Sequence, residues 1–176
     1  TSNQVAAGLG SRDEAKTFIY AFIYGAGNKK IGTIIGGSER DGERVKEKFL
    51  RATPSLRRLR EKVERVAQRR WVRGLDQRKI IIRHPHAALN TLLQGAGACV
   101  MKKALTILQE YVINKQIKAF PVVNVHDEFQ YEVQEDRADE FGRLAVQSII
   151  DAGQQLNVRC QLNGEYKIGN NWSETH

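Results

Sequence analysis

Residues 11–27, SRDEAKTFIYAFIYGAG, predict one amphipathic helix with a defined start and a defined end. Ser11 followed three residues later by Glu14 is the pattern of a capping box, in which each side chain accepts a hydrogen bond from a backbone N–H at the helix start. Gly25 and Gly27 follow the last periodic residue, where glycine adopts the left-handed backbone that ends a helix. The segment therefore carries signals for both ends of a helix.

The two sides of this predicted helix differ in character. At about 100° per residue, one side collects the apolar side chains of Ala15, Phe18, Ile19 and Phe22. The other side carries two cations one turn apart and then two tyrosines on the same line: Arg12, Lys16, Tyr20 and Tyr24. A helix that only packs on a core needs the first side and not the second.

The polar stripe (Arg12, Lys16, Tyr20 and Tyr24) has the chemistry of a nucleoside triphosphate site. An arginine and a lysine can hold polyphosphate oxygens, the first as a planar fork and the second as a point charge. The helix N-terminus adds a favourable dipole for the same anion, and a tyrosine ring offers a face to a sugar or a base. The alternative is a surface helix with solvated cations and two half-buried tyrosines.

The chain has a net charge of +8, which favours an acidic partner such as nucleic acid or anionic lipid. The excess lies in residues 57–83, here named the basic segment, where eleven Lys and Arg accompany three Asp and Glu. A solvated charged face is the usual explanation of such a run. Cations at this density repel one another unless a polyanion is near, so we expect contact with a nucleic-acid backbone, which positions without reading sequence.

The cysteine count and the hydropathy of the chain indicate the cellular compartment. Two cysteines, Cys99 and Cys160, in a chain of 176 residues indicate a reducing environment rather than a disulfide framework. The sequence contains neither a signal peptide nor an apolar run of membrane-spanning length. We therefore expect a soluble protein in the cytoplasm, with no membrane partner.

The remaining periodicity predicts an α+β chain. Helices are expected over residues 30–35, 43–51, 54 to about 70, 86–114 and 136–156, with Thr53 as N-cap and Pro54 at the first position of the third. Strands are expected over 79–83 and 158–162, and a β-hairpin over 120–133. Residues 1–10 allow helix without requiring it, whereas 25–42 and the tail after 162 are expected to be mostly loop.

Two further groups of polar residues fall at chemically informative positions. The hairpin bend carries His126, Asp127 and Glu128, and adjacent carboxylates at a strand tip can bind a hard cation, although acidic residues are also common in turns. A second group, His86, Asn90 and Gln94, recurs every four residues and shares one helix face. That face is either the solvent side of a half-buried helix or a surface that contacts a ligand.

Three motifs resemble those of the family A DNA polymerases (the DNA polymerase I family). R-x-x-x-K-x-x-x-Y-x-x-x-Y-G, from Arg12 to Gly25, resembles motif B, with wording most like the bacteriophage branch. V-H-D-E at residues 125–128 resembles motif C, and H-x-x-x-N-x-x-x-Q at residues 86–94 resembles the face that touches the DNA minor groove. The resemblance covers nearly the whole chain. It implies a helical fingers subdomain over 1–72 and the C-terminal part of a palm over 73–176, with a small antiparallel sheet and packed helices.

The resemblance also implies roles for individual residues. Arg12 and Lys16 would bind the incoming dNTP, Tyr20 would lie against its sugar, and Tyr24 would stack at the templating position. Asp127 would help to hold two Mg²⁺ ions, Glu128 would support that site, and His126 would lie near the primer terminus. The residues implied in DNA contact are His86, Asn90, Gln94, His126 and Arg83. Arg12, Lys16, Asp127 and Glu128 would together form the catalytic set.

One required motif is missing. None of the seven aspartates begins the D-x-S-x-x-E pattern of motif A, which in this family precedes motif B and holds the second metal-binding aspartate. The chain is therefore expected to be inactive alone, as a fragment or as one half of a split polymerase. Its partners would be primer–template DNA, dNTP and an N-terminal portion bearing motif A, with a processivity factor as a further candidate. Without the strand of motif A, the palm sheet should expose an unpaired edge.

Two functions are compatible with these motifs. The first is template-directed DNA synthesis, in which a nucleotide is transferred from dNTP to a primer 3′-hydroxyl by a two-metal mechanism. The alternative is a catalytically inactive DNA-binding or replisome-interaction protein that retains the fold. A binding module has no need of Arg12, Lys16, Tyr20 and Asp127 together, so their presence favours the enzyme.

Overall fold

The computed structural model describes residues 2–175 and divides the chain into two compact units, Thr1–Gln94 and Gly95–His176. One helix, α6 (Ala88–Asn114), contributes to both units. The division between fingers and palm at residue 72 concerns functional subdomains and stays a prediction. Helices and two small antiparallel sheets make up the described chain, so the predicted α+β class is confirmed.

The first unit consists mainly of helices. In order, its elements are α1 (Ser2–Ala7), α2 (Arg12–Ile23), α3 (Asn28–Ile34), α4 (Glu39–Ala52), α5 (Pro54–Ala67), β1 (Trp71–Arg73), β2 (Lys79–Ile81) and a 3₁₀ turn (Pro85–Ala87) that leads into α6. Strands β1 and β2 pair antiparallel, with Trp71 opposite Ile81.

Helix α2 begins and ends as its sequence predicts. The Ser11 hydroxyl accepts a hydrogen bond from the Glu14 backbone N–H, and the Glu14 carboxylate accepts one from the Ser11 N–H, both at 3.1 Å. Gly25 adopts a φ of +80°, and Ala26 N–H donates to the carbonyl of Ala21 at 2.9 Å, the long bond of a Schellman motif. Gly27 has the different role of N-cap for α3.

An aromatic cluster holds α2 on its neighbours. Phe18 and Phe22 are buried, and each packs edge-on against Phe49 of α4, with ring centroids 5.3 and 5.4 Å apart. Ile31 of α3 is buried in the same cluster. Such aromatic pairs add about 0.5–1.5 kcal/mol each to their area burial. The apolar side of α2 therefore fixes which of its sides faces outward.

Two boundaries in this unit differ from the prediction. Helix α4 starts at Glu39, inside the stretch expected to be loop, because Ser38 and Asp41 form a second capping box. Thr53 occupies the N-cap position of α5, but its hydroxyl donates to the Phe49 carbonyl at 2.7 Å and caps nothing. Pro54 supplies the expected first helical residue.

The second unit packs a hairpin against two helices. Its elements after α6 are β3 (Ala119–Val125), β4 (Glu128–Val133), a 3₁₀ turn (Glu135–Arg137), α7 (Ala138–Gln155) and α8 (Trp172–Thr175). Strands β3 and β4 pair antiparallel, with a register shift between Pro121 and Val123. Alternate residues of β4 contact a core of α6 and α7 side chains: Phe129, Tyr131 and Val133. The predicted hairpin is confirmed.

The strand predicted over residues 158–162 is wrong. This segment forms no ladder among the described residues, and runs with the rest of the tail along α7. Two glycines of α7 admit tail side chains at close range: Leu162 lies against Gly153 and Tyr166 against Gly142. Alternating polar and apolar residues suit a segment that packs on a helix as well as a strand, which explains the error. The tail then ends in the short helix α8.

No helix in residues 2–175 has both the length and the apolar character needed to cross a bilayer.

A hydrogen bond between α6 and α7 gives a prediction for pH-dependent stability. The Tyr111 hydroxyl donates to the Asp151 carboxylate, which raises the pKa of Tyr111 to about 12 from its ordinary value of 10. The folded state thus holds a proton that the unfolded state releases from pH 10 upward, so this stabilisation is complete below pH 10 and is lost as the pH rises towards 12. Tyr111→Phe should lower the free energy of unfolding by about 1 kcal/mol at pH 8.

The measurement is urea unfolding followed by circular dichroism at pH 8 and pH 11. The difference in stability between the native chain and Tyr111→Phe should shrink at the higher pH, because the native chain alone loses this interaction. Comparing the two chains cancels the contribution of the other tyrosines. A difference that is equal at both pH values would show that the hydrogen bond does not control the titration.

Candidate nucleotide and DNA site

The polar stripe of α2 is exposed to solvent along its length. Arg12 and Lys16 are exposed, and Tyr20 and Tyr24 keep 55% and 56% of their surface accessible. Both tyrosines thus expose about half of their surface, which fits a ligand-binding helix side and a structural surface helix alike. The structure places the four predicted nucleotide-binding residues on the side away from the aromatic cluster, while their contact with dNTP remains a prediction.

The C-terminal end of α2 packs against the start of α6. A Cβ at Gly25 would lie 2.7 Å from the carbonyl oxygen of His86, so the two backbones meet where only glycine fits. About two helical turns further on, the Gln94 side-chain amide donates to the Tyr24 hydroxyl at 2.8 Å. Motif B and the predicted DNA face, which are about 70 residues apart in sequence, therefore adjoin within the first unit.

The predicted DNA face is uneven. His86 is exposed in the 3₁₀ turn and Gln94 is exposed on α6, whereas Asn90 between them is half-buried. The side-chain oxygen of Asn90 is buried and accepts no hydrogen bond from any described residue. Buried polar atoms rarely lack a partner, so this oxygen is unusual. Sequence reasoning overlooked His84, which stacks on His86 with ring centroids 5.6 Å apart.

Part of the basic segment already has partners within the chain. Arg57 pairs with Glu47 and Arg60 with Glu64, each at 2.8 Å, and the Arg60 guanidinium also lies 5.6 Å from the Phe22 ring centroid. These arginines help to join α4, α5 and α2. Arg83, by contrast, is exposed just before the 3₁₀ turn that carries His86. Some cations of the basic segment therefore stabilise the fold, which the composition of the segment does not show.

Burial affects one lysine behind the polar stripe. Lys46 of α4 donates to the carbonyl oxygen of Ala26 at 3.1 Å, directly after the end of α2. Desolvation first, and the nearby charge of Arg60 second, lower the pKa of Lys46. This contact helps to fix the position of the α2 C-terminus, and no local sequence pattern predicts it.

The hairpin bend in the second unit presents its carboxylates at a tight turn. Val125 pairs with Glu128, which leaves His126 and Asp127 as the two turn residues. His126 has a φ of +53°, a conformation that is uncommon for a residue with a side chain. Asp127 is exposed and Glu128 is half-buried. Sequence reasoning missed Gln130, whose side-chain amide donates to the Glu128 carboxylate.

The bend supplies suitable ligands but no complete cation site. Carboxylate oxygens are the hard ligands that Mg²⁺ prefers, and Mg²⁺ commonly uses one or two of them together with water and substrate phosphates. Among the described residues, however, no group of three or more His, Cys, Asp or Glu side chains is placed to hold a metal ion. Asp127 and Glu128 therefore fit the part of such a site that one polypeptide segment contributes.

Comparison with known proteins identifies the family. A family-level comparison matches residues 3–174 to DNA polymerase family A. The chain belongs to that family. It is 40% identical to the DNA-directed DNA polymerases of Enterobacteria phage T3 and Escherichia phage T7, over all of this chain and 28% of each relative. The resemblance deduced from the motifs, including its bacteriophage character, is confirmed.

A solved structure agrees on the fold of this family A chain. The POL domain of Pol1 from M. smegmatis, in complex with DNA primer–template and dNTP, superposes with a TM-score of 0.76 at 18% identity. The likeness covers 86% of this chain and 30% of that one. The chain thus spans less than a third of the length of the relatives it matches, and it corresponds to one part of a larger polymerase.

Proposed function

We propose that this chain is the C-terminal portion of a DNA-directed DNA polymerase and takes part in template-directed transfer of a nucleotide from dNTP to a primer 3′-hydroxyl. The observation that carries this proposal is the contact of Tyr24 and Gly25 with Gln94 and His86. It joins a cationic, aromatic helix side to a row of imidazole and amide groups. A polymerase needs these two surfaces side by side, because the nucleotide must pair next to the last base pair of the duplex.

We assign the polar stripe to the incoming nucleotide. Arg12 and Lys16 would bind the triphosphate at the N-terminal part of α2, where the helix dipole also favours an anion. Tyr20 would lie against the sugar, and Tyr24 would stack at the templating position. Because the aromatic cluster fixes α2, these groups are held in place before the nucleotide arrives, and preorganisation of this kind lowers the barrier of phosphoryl transfer.

We assign the minor groove next to the insertion site to His86, Asn90 and Gln94, with Arg83 on the adjoining backbone. Every base pair offers N3 or O2 acceptors in that groove, so amide and imidazole donors can test pair geometry without reading sequence. His126 would lie near the primer terminus.

We assign Mg²⁺ to the hairpin bend. Asp127 would hold the metal, with Glu128 in support, since an exposed turn carboxylate beside a half-buried one matches the hard-ligand requirement described above. Two ions, when bound, would activate the primer hydroxyl and stabilise charge on the attacking and leaving oxygens. The remaining protein ligand would come from the motif A aspartate of an N-terminal portion.

The surface of β3 supports the proposal of an N-terminal partner. Among the described residues β3 pairs with β4 alone, so its other edge is open. Phe120 and Val122 expose 64% and 66% of their surface on this strand, and an apolar groove of about 420 Å³ runs between it and α6 beside Leu105 and Phe129. Open edges with apolar side chains invite pairing with another strand. We propose that the strand of motif A occupies this edge.

Primer extension tests the proposed function. The chain alone, with primer–template DNA, dNTP and Mg²⁺, should yield no product, because one metal-binding aspartate is missing. Addition of an N-terminal portion bearing D-x-S-x-x-E, in trans or as a fusion, should produce templated extension; we call this assembly the joined enzyme. Extension by the chain alone would contradict the incomplete-site argument.

The cellular setting is proposed on the same grounds. Both cysteines are free, Cys99 half-buried and Cys160 exposed, as a reducing cytoplasm would keep them. We place the joined enzyme in the cytoplasm of a bacterial host, where phage DNA is copied, and a processivity factor is a candidate partner there.

A further inference from the structure

The side of β4 that faces away from the hydrophobic core carries a second layer of polar contacts. Successive side chains of a strand point to opposite faces, so Glu128, Gln130 and Glu132 share the face opposite Phe129 and Tyr131. On this face the Gln130 side-chain nitrogen donates to the Glu128 carboxylate. The Gln130 side-chain oxygen accepts from the hydroxyl of Thr175, 45 residues away, at 3.1 Å.

The C-terminal tail reaches this face as a strap (residues 158–175) with several fixed points. Tyr166 packs on Gly142, where a Cβ would lie 2.2 Å from the tyrosine ring. The Tyr166 hydroxyl donates to the Asp139 carboxylate at 2.6 Å, and this hydrogen bond lowers the pKa of Asp139. Further on, the Glu174 carboxylate accepts from the backbone N–H of Asn170 at 2.8 Å. These contacts hold α8 in place.

The Glu128 carboxylate, which only accepts hydrogen bonds, decides which way the Gln130 amide points. A glutamine amide has a donor end and an acceptor end, and exchanging them would turn an oxygen towards the Glu128 carboxylate. The Thr175 hydroxyl lies within 3.1 Å of both the Gln130 oxygen and the Trp172 carbonyl, so its proton serves two acceptors. Thr175 therefore anchors the oxygen end of the Gln130 amide while the nitrogen end donates to Glu128.

We propose that Gln130 is a positioning residue that holds the Glu128 carboxylate in one orientation beside Asp127, and that the strap fixes Gln130 through Thr175. This inference rests on the proposed function, since it assigns the hairpin bend to the reaction. Neither Gln130 nor Thr175 belongs to any of the three motifs named in the sequence analysis. The orientation of a carboxylate at the bend therefore depends on residues at the end of the chain.

The test is nuclear magnetic resonance of the full chain without metal or DNA. Thr175→Val keeps the shape of the side chain and removes its hydroxyl, and Gln130→Leu removes the amide. Both should average the side-chain couplings of Glu128 between rotamers, and Thr175→Val should speed exchange of the Gln130 amide protons by about tenfold, the equivalent of one hydrogen bond. Thr175→Ser, which retains the hydroxyl, should restore the native signals.

Gln134→Leu is the matched control, because the Gln134 amide bonds Lys118 and Asp136 at the other end of the same hairpin. It should leave the couplings of Glu128 unchanged. In the joined enzyme, Thr175→Val should lower kcat severalfold with little change in KM for dNTP. Unchanged Glu128 couplings in Thr175→Val would overturn the inference even if the joined enzyme is active. If the Glu128 couplings change but the native joined enzyme makes no DNA, the positioning of Glu128 by Gln130 stands and the polymerase assignment is rejected.

Discussion

Asp127→Asn is expected to abolish DNA synthesis by the joined enzyme, with a loss of at least about a thousandfold in the rate of single-nucleotide incorporation. Asparagine has nearly the shape of aspartate but lacks the negative charge that a hard cation requires. Asp127 is exposed at a turn, so the substitution should leave the hairpin intact. The expected defect is therefore one of chemistry and not of folding.

The measurement pairs a rapid-quench incorporation assay with an equilibrium DNA-binding assay at fixed salt. Asp136→Asn is the control, since Asp136 is also exposed but lies at the opposite end of the hairpin. The control should keep full activity, and both variants should bind DNA as the native chain does. If Asp127→Asn retained synthesis, the metal would have to be held elsewhere. If the native joined enzyme bound DNA without synthesis, the chain would be the binding protein considered as the alternative.

The success of the sequence reasoning at α2 has a local physical cause. Its start depends on Ser11 and Glu14, which lie within one helical turn, and its end depends on Gly25, which follows the last turn directly. The apolar side is set by a period of about 3.6 residues. Signals that act over four residues can be recognised in a sequence without knowledge of the fold. The same holds for the hairpin, in which strand alternation brackets a two-residue turn.

The failures arose where the deciding contact is distant. Residues 158–162 alternate as a strand does, and only Gly153 and Gly142, earlier in the chain, show that the tail packs on a helix. Likewise the contact of Tyr24 with Gln94 joins residues 70 positions apart, and that of Thr175 with Gln130 joins residues 45 apart. Motif recognition found the candidate site residues, whose contacts with ligands stay a prediction. The residues that hold them in position required the tertiary structure.

The glycine-rich stretch after α2 shows the same division. Its six glycines predicted mostly loop with a short helix over residues 30–35, and in the structure Gly32 lies inside α3 whereas Gly42, expected in loop, lies inside α4. They serve close packing, because a Cβ at Gly32 would lie 2.1 Å from the Ser38 carbonyl oxygen. The glycine content therefore indicates positions without side chains, and the structure shows that close backbone packing between α3 and α4 requires some of them.

Gly42→Ala is expected to destabilise the first unit by about 3 kcal/mol or more, although alanine normally favours a helix. The added Cβ would lie 2.1 Å from the Asn28 carbonyl oxygen and 2.6 Å from the Gly32 nitrogen. Both are backbone atoms of the neighbouring segment, so no side chain can move aside and the two helices must separate. Separation would withdraw Phe49 from the aromatic cluster beneath α2.

The matched control for this variant is Gly97→Ala, inside helix α6, where a Cβ would meet nothing within 4 Å. The same chemical change should there increase stability by up to about 1 kcal/mol, through helix propensity alone. Urea unfolding followed by circular dichroism measures both variants, and dNTP binding should weaken in Gly42→Ala even though Arg12 and Lys16 are untouched. A cost below about 1 kcal/mol for Gly42→Ala would mean that α3 and α4 pack less closely than this structure has them. Opposite signs for the two glycines, together with weaker dNTP binding by Gly42→Ala, would show that the backbone contact between α3 and α4 supports the outward side of α2.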